Sequence, residues 1–270
     1  MNRLLSLVLK KMLLLVVAMY IALIIYAYFF SDSVIFQPHP SSYRDGADIL
    51  KLTTSTGRKI SAVYFPNNSA RYTLLVSHGN AEDLGDELEW LQDLRRQGFS
   101  VFAFDYEGYG TSEGKPSENA LYEDEFAAYD YLAVNLATPP DRILIYGRSV
   151  GGGPAVRLAA RRPSAGLILQ STFVSAFRVL TRVPLLFFDK FPNARDIRHV
   201  HCPVLIMHGT ADSVISYWHS QELFRKANEP KQFFAIQGGG HNDVVASSTS
   251  AALADFTALI DGKRPTPPIH

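Results

Sequence analysis

The sequence has no excess of charge of either sign and almost no cysteine. Its 270 residues contain 26 lysines and arginines against 26 aspartates and glutamates, so its formal net charge is zero. A general nucleic-acid-binding protein needs a basic excess to contact phosphates and release counterions, so we expect no nucleic-acid partner. The single cysteine, Cys202, excludes an intramolecular disulfide and a zinc site built from several cysteines.

Motifs for metal and nucleotide chemistry are also missing. The sequence has no H-E-x-x-H motif, no Walker loop and no G-x-G-x-x-G after its first predicted strand. We therefore expect neither a metal nor an organic cofactor. A hydrophobic content of 47% with 19% charged residues excludes a disordered chain and predicts a folded domain with a large core.

The N-terminal segment differs from the rest of the chain. Residues 12–30 form a run of nineteen residues without a charge, which as an α-helix would span about 28 Å, close to the hydrocarbon core of a bilayer. Because Arg3, Lys10 and Lys11 precede it, the positive-inside rule predicts a single-pass anchor with residues 1–11 in the cytoplasm. The rest would lie on the periplasmic, lumenal or extracellular side. A cleaved signal peptide and a buried core helix are the alternatives.

Beyond this anchor the sequence predicts a stalk, one domain and a tail. Residues 31–44 are rich in proline and serine and predict an extended stalk. Across residues 45–262, runs that are apolar on both faces alternate with helical stretches, which predicts an α/β fold with a mostly parallel, doubly wound sheet after an antiparallel hairpin at 49–65. Residues 172–203 are a cap-like, aromatic-rich insertion that either roofs a pocket or packs as ordinary helix. Residues 263–270 are the predicted C-terminal tail.

The strongest chemical motif is GRSVG at residues 147–151. It lies between the predicted strand ILIY and a predicted helix, which is the context of the G-x-S-x-G nucleophile elbow. The glycines let strand and helix approach each other, while the sharp turn exposes the serine hydroxyl above the sheet. We therefore predict Ser149 as a nucleophile. A glycine-rich helix start with an incidental serine is the alternative.

A serine hydroxyl needs a base that removes its proton, and two further loops supply candidates. Asp212 follows the strand-like run VLIM, and His241 lies in a glycine-rich loop after the run QFFAI. Both loops are expected at the carboxyl edge of the sheet, where Ser149 also lies. We predict His241 as general base and then general acid, with Asp212 fixing its tautomer. Asp189 and Asp243 are the competing acids.

The loop HGNA at residues 78–81 follows another predicted strand. We predict that an oxyanion hole is formed by the backbone N–H groups of Asn80 and Val150. The other histidines are assigned no catalytic role: His208 is expected to be buried and hydrogen-bonded, and His219 to lie on the surface.

Together these motifs resemble the α/β-hydrolase superfamily, and within it a membrane-anchored group of fungal bud-emergence-related hydrolases and animal depalmitoylase-like abhydrolase-domain proteins. The similar segments are FQP at 36–38, HGNA at 78–81, DYEGYGTSEG at 105–114, GRSVGG at 147–152, STF at 171–173, GTAD at 209–212 and GHND at 240–243. The resemblance implies the α/β-hydrolase fold and a serine hydrolase activity. Glu107 stands where these relatives usually carry arginine. The N-terminal cysteine cluster of the depalmitoylases is absent, so their protein-lipid substrate is not implied.

The sequence therefore predicts a serine hydrolase that cleaves carboxylic ester or thioester bonds through an acyl-enzyme on Ser149. The anchor and the aromatic insertion favour an apolar small-molecule or lipid-like acyl substrate. Two alternatives stay open. The first is a serine aminopeptidase-like enzyme of the same fold, in which Glu107 or Glu113 would bind a free α-amine. The second is a membrane-tethered binding protein that has lost catalysis.

Overall fold

The computed structural model describes residues 2–243 and 246–263, and the chain divides into two compact units, Met1–Gln37 and Pro38–His270. From residue 264 onward, the predicted C-terminal tail lies outside the described residues.

The first unit is built on one long helix, α1 (Asn2–Ile35). At about 1.5 Å per residue it is roughly 51 Å long, and residues 5–35 are apolar enough to cross a membrane. The helix includes the predicted anchor at 12–30 and continues through residues 31–35, which we expected to begin an extended stalk. The polar residues there are compatible with helix, and Pro38 is the first residue after them that cannot continue it.

In the described part of the second unit, eight strands form one sheet with the order β1-β2-β4-β3-β5-β6-β7-β8. The strands are β1 (Leu50–Thr53), β2 (Lys59–Phe65), β3 (Thr73–Ser77), β4 (Ser100–Phe104), β5 (Ile143–Arg148), β6 (Gly166–Gln170), β7 (Val204–Gly209) and β8 (Lys231–Ile236). β2 pairs antiparallel with both β1 and β4, and every other neighbouring pair is parallel. The predicted α/β-hydrolase architecture, with its antiparallel start, is confirmed.

Helices cover the sheet, which explains why the central strands are apolar on both faces. The helices are α2 (Leu84–Arg96), α3 (Glu118–Asp130), α4 (Gly152–Ala159), α5 (Asn193–Asp196), α6 (Trp218–Lys226) and α7 (Ala246–Ile260). On one face, Leu91 and Leu94 of α2 and Leu253 and Phe256 of α7 belong to the same buried core as the strands. Burying each such side chain contributes about 1.5–3 kcal/mol.

Two helical segments of the second unit are irregular. α3 is followed by a π-helical turn at Tyr131–Asn135. α4 is preceded by a tight 3₁₀ turn, Ser149–Gly151, and the chain becomes α-helical only at Gly152. That turn is where the nucleophile motif lies, so the local irregularity falls at the candidate site.

The insertion between β6 and β7 contains short helical turns and α5. Its large apolar residues divide into two sets. Phe191 is fully buried and packs against Gly153 of α4, whereas Leu180 and Phe187 are 83% and 80% exposed. One part of the insertion therefore packs as core, and the other presents apolar side chains at the surface.

Candidate active site

The GRSVG segment forms a sharp turn from β5 into α4. Ser149 has a φ of +51°, in the left-handed region that side chains rarely adopt. A Cβ on Gly147 would lie 2.6 Å from the Gly151 carbonyl oxygen, and one on Gly151 would lie 2.2 Å from the Ser77 carbonyl oxygen. Glycine at these two positions is therefore what allows the strand and the turn to approach so closely.

Three side chains distant in sequence lie in hydrogen-bonding contact at the carboxyl edge of the sheet. The Oγ of Ser149 is 3.0 Å from Nε2 of His241, a residue 92 positions further along the chain. The Nδ1 of His241 is 2.7 Å from Oδ2 of Asp212. Because a carboxylate only accepts, Nδ1 carries the proton and Nε2 is the atom that accepts from the serine hydroxyl.

The carboxylate of Asp212 is held in one orientation by its own loop. Its Oδ1 accepts the backbone N–H groups of Val214 and Ile215, both at 2.8 Å. Burial raises the pKa of Asp212, but hydrogen bonds from His208 and His241 and from the backbone outweigh burial and hold the pKa well below its usual range. Asp212 is therefore ionised at neutral pH, which suits it to stabilise an imidazolium.

The HGNA loop lies against this turn. A Cβ on Gly151 would be 2.7 Å from the carbonyl oxygen of His78, so the two backbone segments are in direct contact. The loop is fixed by side-chain bonds: the Tyr109 hydroxyl donates to Oδ1 of Asn80 at 2.6 Å, and the Gly79 N–H donates to Oε2 of Glu82 at 3.0 Å. This contact brings the predicted oxyanion residues, Asn80 and Val150, onto adjoining turns.

Arg148, the first of the two variable residues of the G-x-S-x-G motif, was assigned no role from the sequence. Its Nη1 lies 2.8 Å from Oε1 of Glu87 and 3.2 Å from Glu82, and its Nη2 donates to Oδ1 of Asn242 at 3.3 Å. Burial and the neighbouring Glu82 raise the pKa of Glu87 to about 7, against the lowering effect of Arg148. The arginine therefore links the nucleophile turn, the HGNA loop and the loop that carries His241.

The prediction for His219 was wrong, because this side chain is only 1% exposed. It lies on α6, and its Nδ1 accepts the backbone N–H of Val174 at 3.2 Å. Burial, together with the nearby His208 and Arg178, lowers the pKa of His219 to about 4. The polar residues around it in the sequence gave no sign that α6 packs against the chain after β6.

The competing acids bond within their own segments. Asp189 accepts the Ser175 hydroxyl at 2.6 Å, and Asp243 accepts the Gly240 N–H at 2.8 Å. The acids considered for amine binding also have partners: Glu107 accepts the hydroxyl of Thr56, and Glu113 accepts the N–H of Lys59.

In the part of the chain that the structure describes, one group of ligating side chains is compact enough for a metal ion, namely His39, Asp83 and Asp86. Asp83 caps the N-terminus of α2, where it accepts the N–H groups of Gly85 and Asp86, and His39 contacts Asp86 at 2.8 Å. Helix capping therefore explains this cluster.

Comparison with known proteins agrees with this architecture. Residues 68–193 match the family described as serine aminopeptidase, S33. The α/β-hydrolase domain-containing proteins 17B of Xenopus tropicalis and Homo sapiens are each 41% identical over 212 residues, covering 76% of this chain and 73% of the relative. In fold, the second unit is similar to an esterase of Pyrococcus furiosus (TM-score 0.69, 18% identity, 83% of this chain and 99% of that one). It is also similar to Est1E of Butyrivibrio proteoclasticus, solved with ferulic acid (TM-score 0.64, 20% identity, 79% and 100%).

Proposed function

Because the chain belongs to the α/β-hydrolase superfamily, among the abhydrolase-domain proteins, and is a hydrolase, we propose that it is a serine hydrolase of carboxylic esters or thioesters. This proposal rests on two contacts: Oγ of Ser149 lies 3.0 Å from Nε2 of His241, and Nδ1 of His241 lies 2.7 Å from Oδ2 of Asp212. These are the distances at which a base takes a hydroxyl proton and an acid orients the base.

The reaction follows from the atoms that lie together. His241 Nε2 takes the proton of Ser149 as Oγ attacks the substrate carbonyl carbon. The oxygen that becomes negative is stabilised by the backbone N–H groups of Asn80 and Val150. His241 then gives the proton to the leaving oxygen or sulfur, which departs and leaves an acyl-enzyme. Water, deprotonated by the same imidazole, attacks this ester, and the acid and free serine are released.

An apolar acyl group is the substrate class that the surroundings support best. The insertion that begins after β6 contacts the nucleophile turn, since the Thr172 hydroxyl donates to the Ser149 carbonyl at 2.7 Å. The same insertion exposes Leu180 and Phe187, and exposed apolar surface of this kind marks binding sites for apolar partners. A series of p-nitrophenyl esters of increasing chain length measures this preference directly.

A fluorophosphonate probe tests the nucleophile. The full chain in detergent is expected to be labelled, and Ser149→Ala is expected to lose labelling and ester turnover by a factor of about 10⁴ or more. Ser175→Ala, a serine in the same unit that bonds to Asp189, is the matched control and should keep the label. Labelling that persists in Ser149→Ala would remove this residue from the nucleophile role.

The second candidate is a peptidase, which the description of the matching family favours. Amino-acyl anilides assayed beside the esters separate the two functions. Turnover of anilides alone would replace the esterase proposal, and absence of both turnover and labelling would favour a binding protein that has lost catalysis.

We further propose that α1 anchors the protein as an uncleaved single-pass helix, with residues 1–11 cytoplasmic and the second unit on the opposite side. A membrane-impermeant fluorophosphonate that is admitted to the cytoplasm alone, with all other membranes intact, should then leave the second unit unlabelled. Labelling under this condition would place the second unit in the cytoplasm instead.

A further inference from the structure

A second histidine lies beside the proposed triad. His208 is the penultimate residue of β7 and is completely buried. The strand continues into the loop that carries Asp212, and His208 is paired with Ala235 of β8, the strand that leads to the loop of His241. Two parallel strands therefore place His208 directly beneath the two loops that supply the acid and the base.

The ring of His208 contacts the carboxylate that orients the base. Its Nε2 is 2.8 Å from the carbonyl oxygen of Ile215 and 3.1 Å from Oδ2 of Asp212. The same Oδ2 accepts Nδ1 of His241. Since the Ile215 carbonyl can only accept, Nε2 of His208 must carry a proton in every protonation state of the ring. This N–H is therefore shared between the carbonyl oxygen of Ile215 and the carboxylate of Asp212.

The other end of the ring is fixed from α6. Nδ1 of His208 lies 2.5 Å from the hydroxyl oxygen of Ser220, which is also fully buried. Two titratable groups face His208 from the loops, namely Asp212 and His241. From the side of α6 they are His219 and the ring of Tyr217. Arg178 in turn faces His219. Burial keeps His219 neutral above about pH 4, so Asp212 is the fixed charge closest to His208.

We propose that His208 is a positioning residue of the catalytic apparatus, which holds Oδ2 of Asp212 in place by an Nε2–H contact and extends the chain of contacts to Ser220–His208–Asp212–His241–Ser149. This proposal rests on the serine hydrolase function proposed above. His208 touches no reacting atom and acts only through Asp212.

Two measurable consequences follow from removing this N–H. The carboxylate becomes free to rotate, so His241 spends less time aligned with Ser149 and kcat falls while KM stays the same. In addition, the whole negative charge of Oδ2 then acts on His241 and stabilises its protonated form. The acidic limb of the pH profile of kcat/KM therefore moves to higher pH. Loss of a purely structural contact would lower stability without moving this limb.

A matched pair of variants separates the two ends of the ring. The amide nitrogen of glutamine in His208→Gln reaches the place of Nε2 and keeps a donor toward Asp212, whereas that of asparagine in His208→Asn reaches only the place of Nδ1, near Ser220. With p-nitrophenyl esters and the full chain in detergent, we expect His208→Gln to keep kcat within about threefold. His208→Asn should lose about 10–100-fold, as outer-shell partners that orient metal-ligating side chains do, and its acidic limb should move up by about half a pH unit or more. His219→Leu, a buried histidine bonded to Val174, is the control and should leave the limb in place.

Equal kcat and equal acidic limbs in the two His208 variants would overturn the proposal. A measurement on the wild type covers the case in which a variant does not fold. In the full chain labelled with ¹⁵N-histidine, the Nε2–H signal of His208 should persist through the pH range and shift at the midpoint at which His241 titrates, because both rings contact Oδ2. An Nε2 signal that does not respond at this midpoint would also overturn the proposal. Failure of the proposed function looks different, since the wild type would then lack ester turnover and labelling while the NMR coupling persists.

Discussion

The left-handed backbone of Ser149 predicts that the turn at this proposed nucleophile stores strain, which two variants that lack the hydroxyl can reveal. Ser149→Ala and Ser149→Gly both lose the hydroxyl and its contact with His241, so this loss cancels in their comparison. They differ in the Cβ, which alanine keeps and glycine lacks. At a φ of +51° a Cβ lies too close to the following carbonyl oxygen. We expect Ser149→Gly to be the more stable of the two.

The size of the difference follows from two opposing contributions. A left-handed conformation costs a residue with a Cβ about 1–2 kcal/mol, and glycine at this position removes that cost. Glycine also has more freedom in the unfolded chain, which offsets about 0.5–1 kcal/mol of the gain. We therefore expect the free energy of unfolding of Ser149→Gly to exceed that of Ser149→Ala by about 0.5–1 kcal/mol, which corresponds to a Tm higher by about 1–4 °C.

Urea titration of the full chain in detergent measures this difference. The chain has two tryptophans, Trp90 and Trp218, and both lie in the second unit, so their emission does not report on α1. Ala137, with a φ of +50° on an exposed turn, provides the calibration, since Ala137→Gly removes a Cβ from the same conformation outside the site. If Ala137→Gly is stabilised while the two Ser149 variants have equal stability, the turn at Ser149 is not strained and the prediction is refuted.

Three further predictions concern packing and charge near the site. Gly151→Ala should lose at least 100-fold in kcat and about 1–3 kcal/mol of stability, because its Cβ would meet the Ser77 carbonyl at 2.2 Å; ester assays and urea titration measure both. Burial raises the pKa of Glu125 to about 8, so the native state retains a proton that the unfolded state releases and stability falls as the pH rises from about 4.5 to 8. This decline amounts to roughly 1.4 kcal/mol of unfolding free energy per pH unit, and Glu125→Gln should abolish it. Urea titrations of both proteins at pH 5 and pH 8 measure the difference. Arg148→Met should cost about 1–3 kcal/mol in urea titrations at pH 8, above the pKa of Glu87, because the buried carboxylate of Glu87 then loses its cation, and Glu87→Gln in the same chain should restore part of the loss.

Each of these predictions has a control elsewhere in the same unit. Gly46→Ala, with nothing within 4 Å of its added Cβ, should be neutral, and equal effects at Gly46 and Gly151 would contradict the steric argument. Asp130→Asn changes an exposed acid of α3 and should leave the pH dependence of stability unchanged. Arg161→Met removes an exposed arginine, and a loss as large as that of Arg148→Met would refute the role of the buried cation.

The parts of the fold that the sequence predicted are those fixed by local rules. Short runs that are apolar on both faces became the buried parallel strands, because a sheet covered by helices on both sides leaves no polar face. The elbow could be recognised at residues 147–151 because its motif is contiguous in the sequence and Gly147 meets the carbonyl of Gly151 within the same turn, although Gly151 itself meets Ser77 of the adjacent strand β3. From the position of each loop after a strand, the carboxyl edge of the sheet could be expected to hold Ser149, Asp212 and His241.

The parts that could not be predicted depend on contacts between distant segments. Nothing near His219 in the sequence shows that α6 covers it, and nothing near Arg148 shows that Glu87 lies 61 residues away within hydrogen-bonding distance. The end of α1 was misplaced for a different reason. Polar residues at 31–33 resemble the start of a stalk, but polarity does not end a helix, and the first residue that does so is Pro38.

Two buried carboxylates in this fold show how the same chain sets opposite charge states. Burial acts to raise the pKa of both Asp212 and Glu125, but the net shifts of the two groups are opposite. Asp212 is surrounded by donors from its own loop and from two histidines, so the ionised form prevails and its pKa falls. Glu125 accepts the hydroxyl of Ser77, and burial then prevails, so it stays protonated at neutral pH. The number of donors therefore decides which carboxylate stays charged. An acid that must stabilise an imidazolium needs such a set of donors in place before the substrate arrives. Among the donors to Asp212 described above, Val214 and Ile215 belong to its own loop and His241 is the proposed base, whereas His208 reaches it from β7.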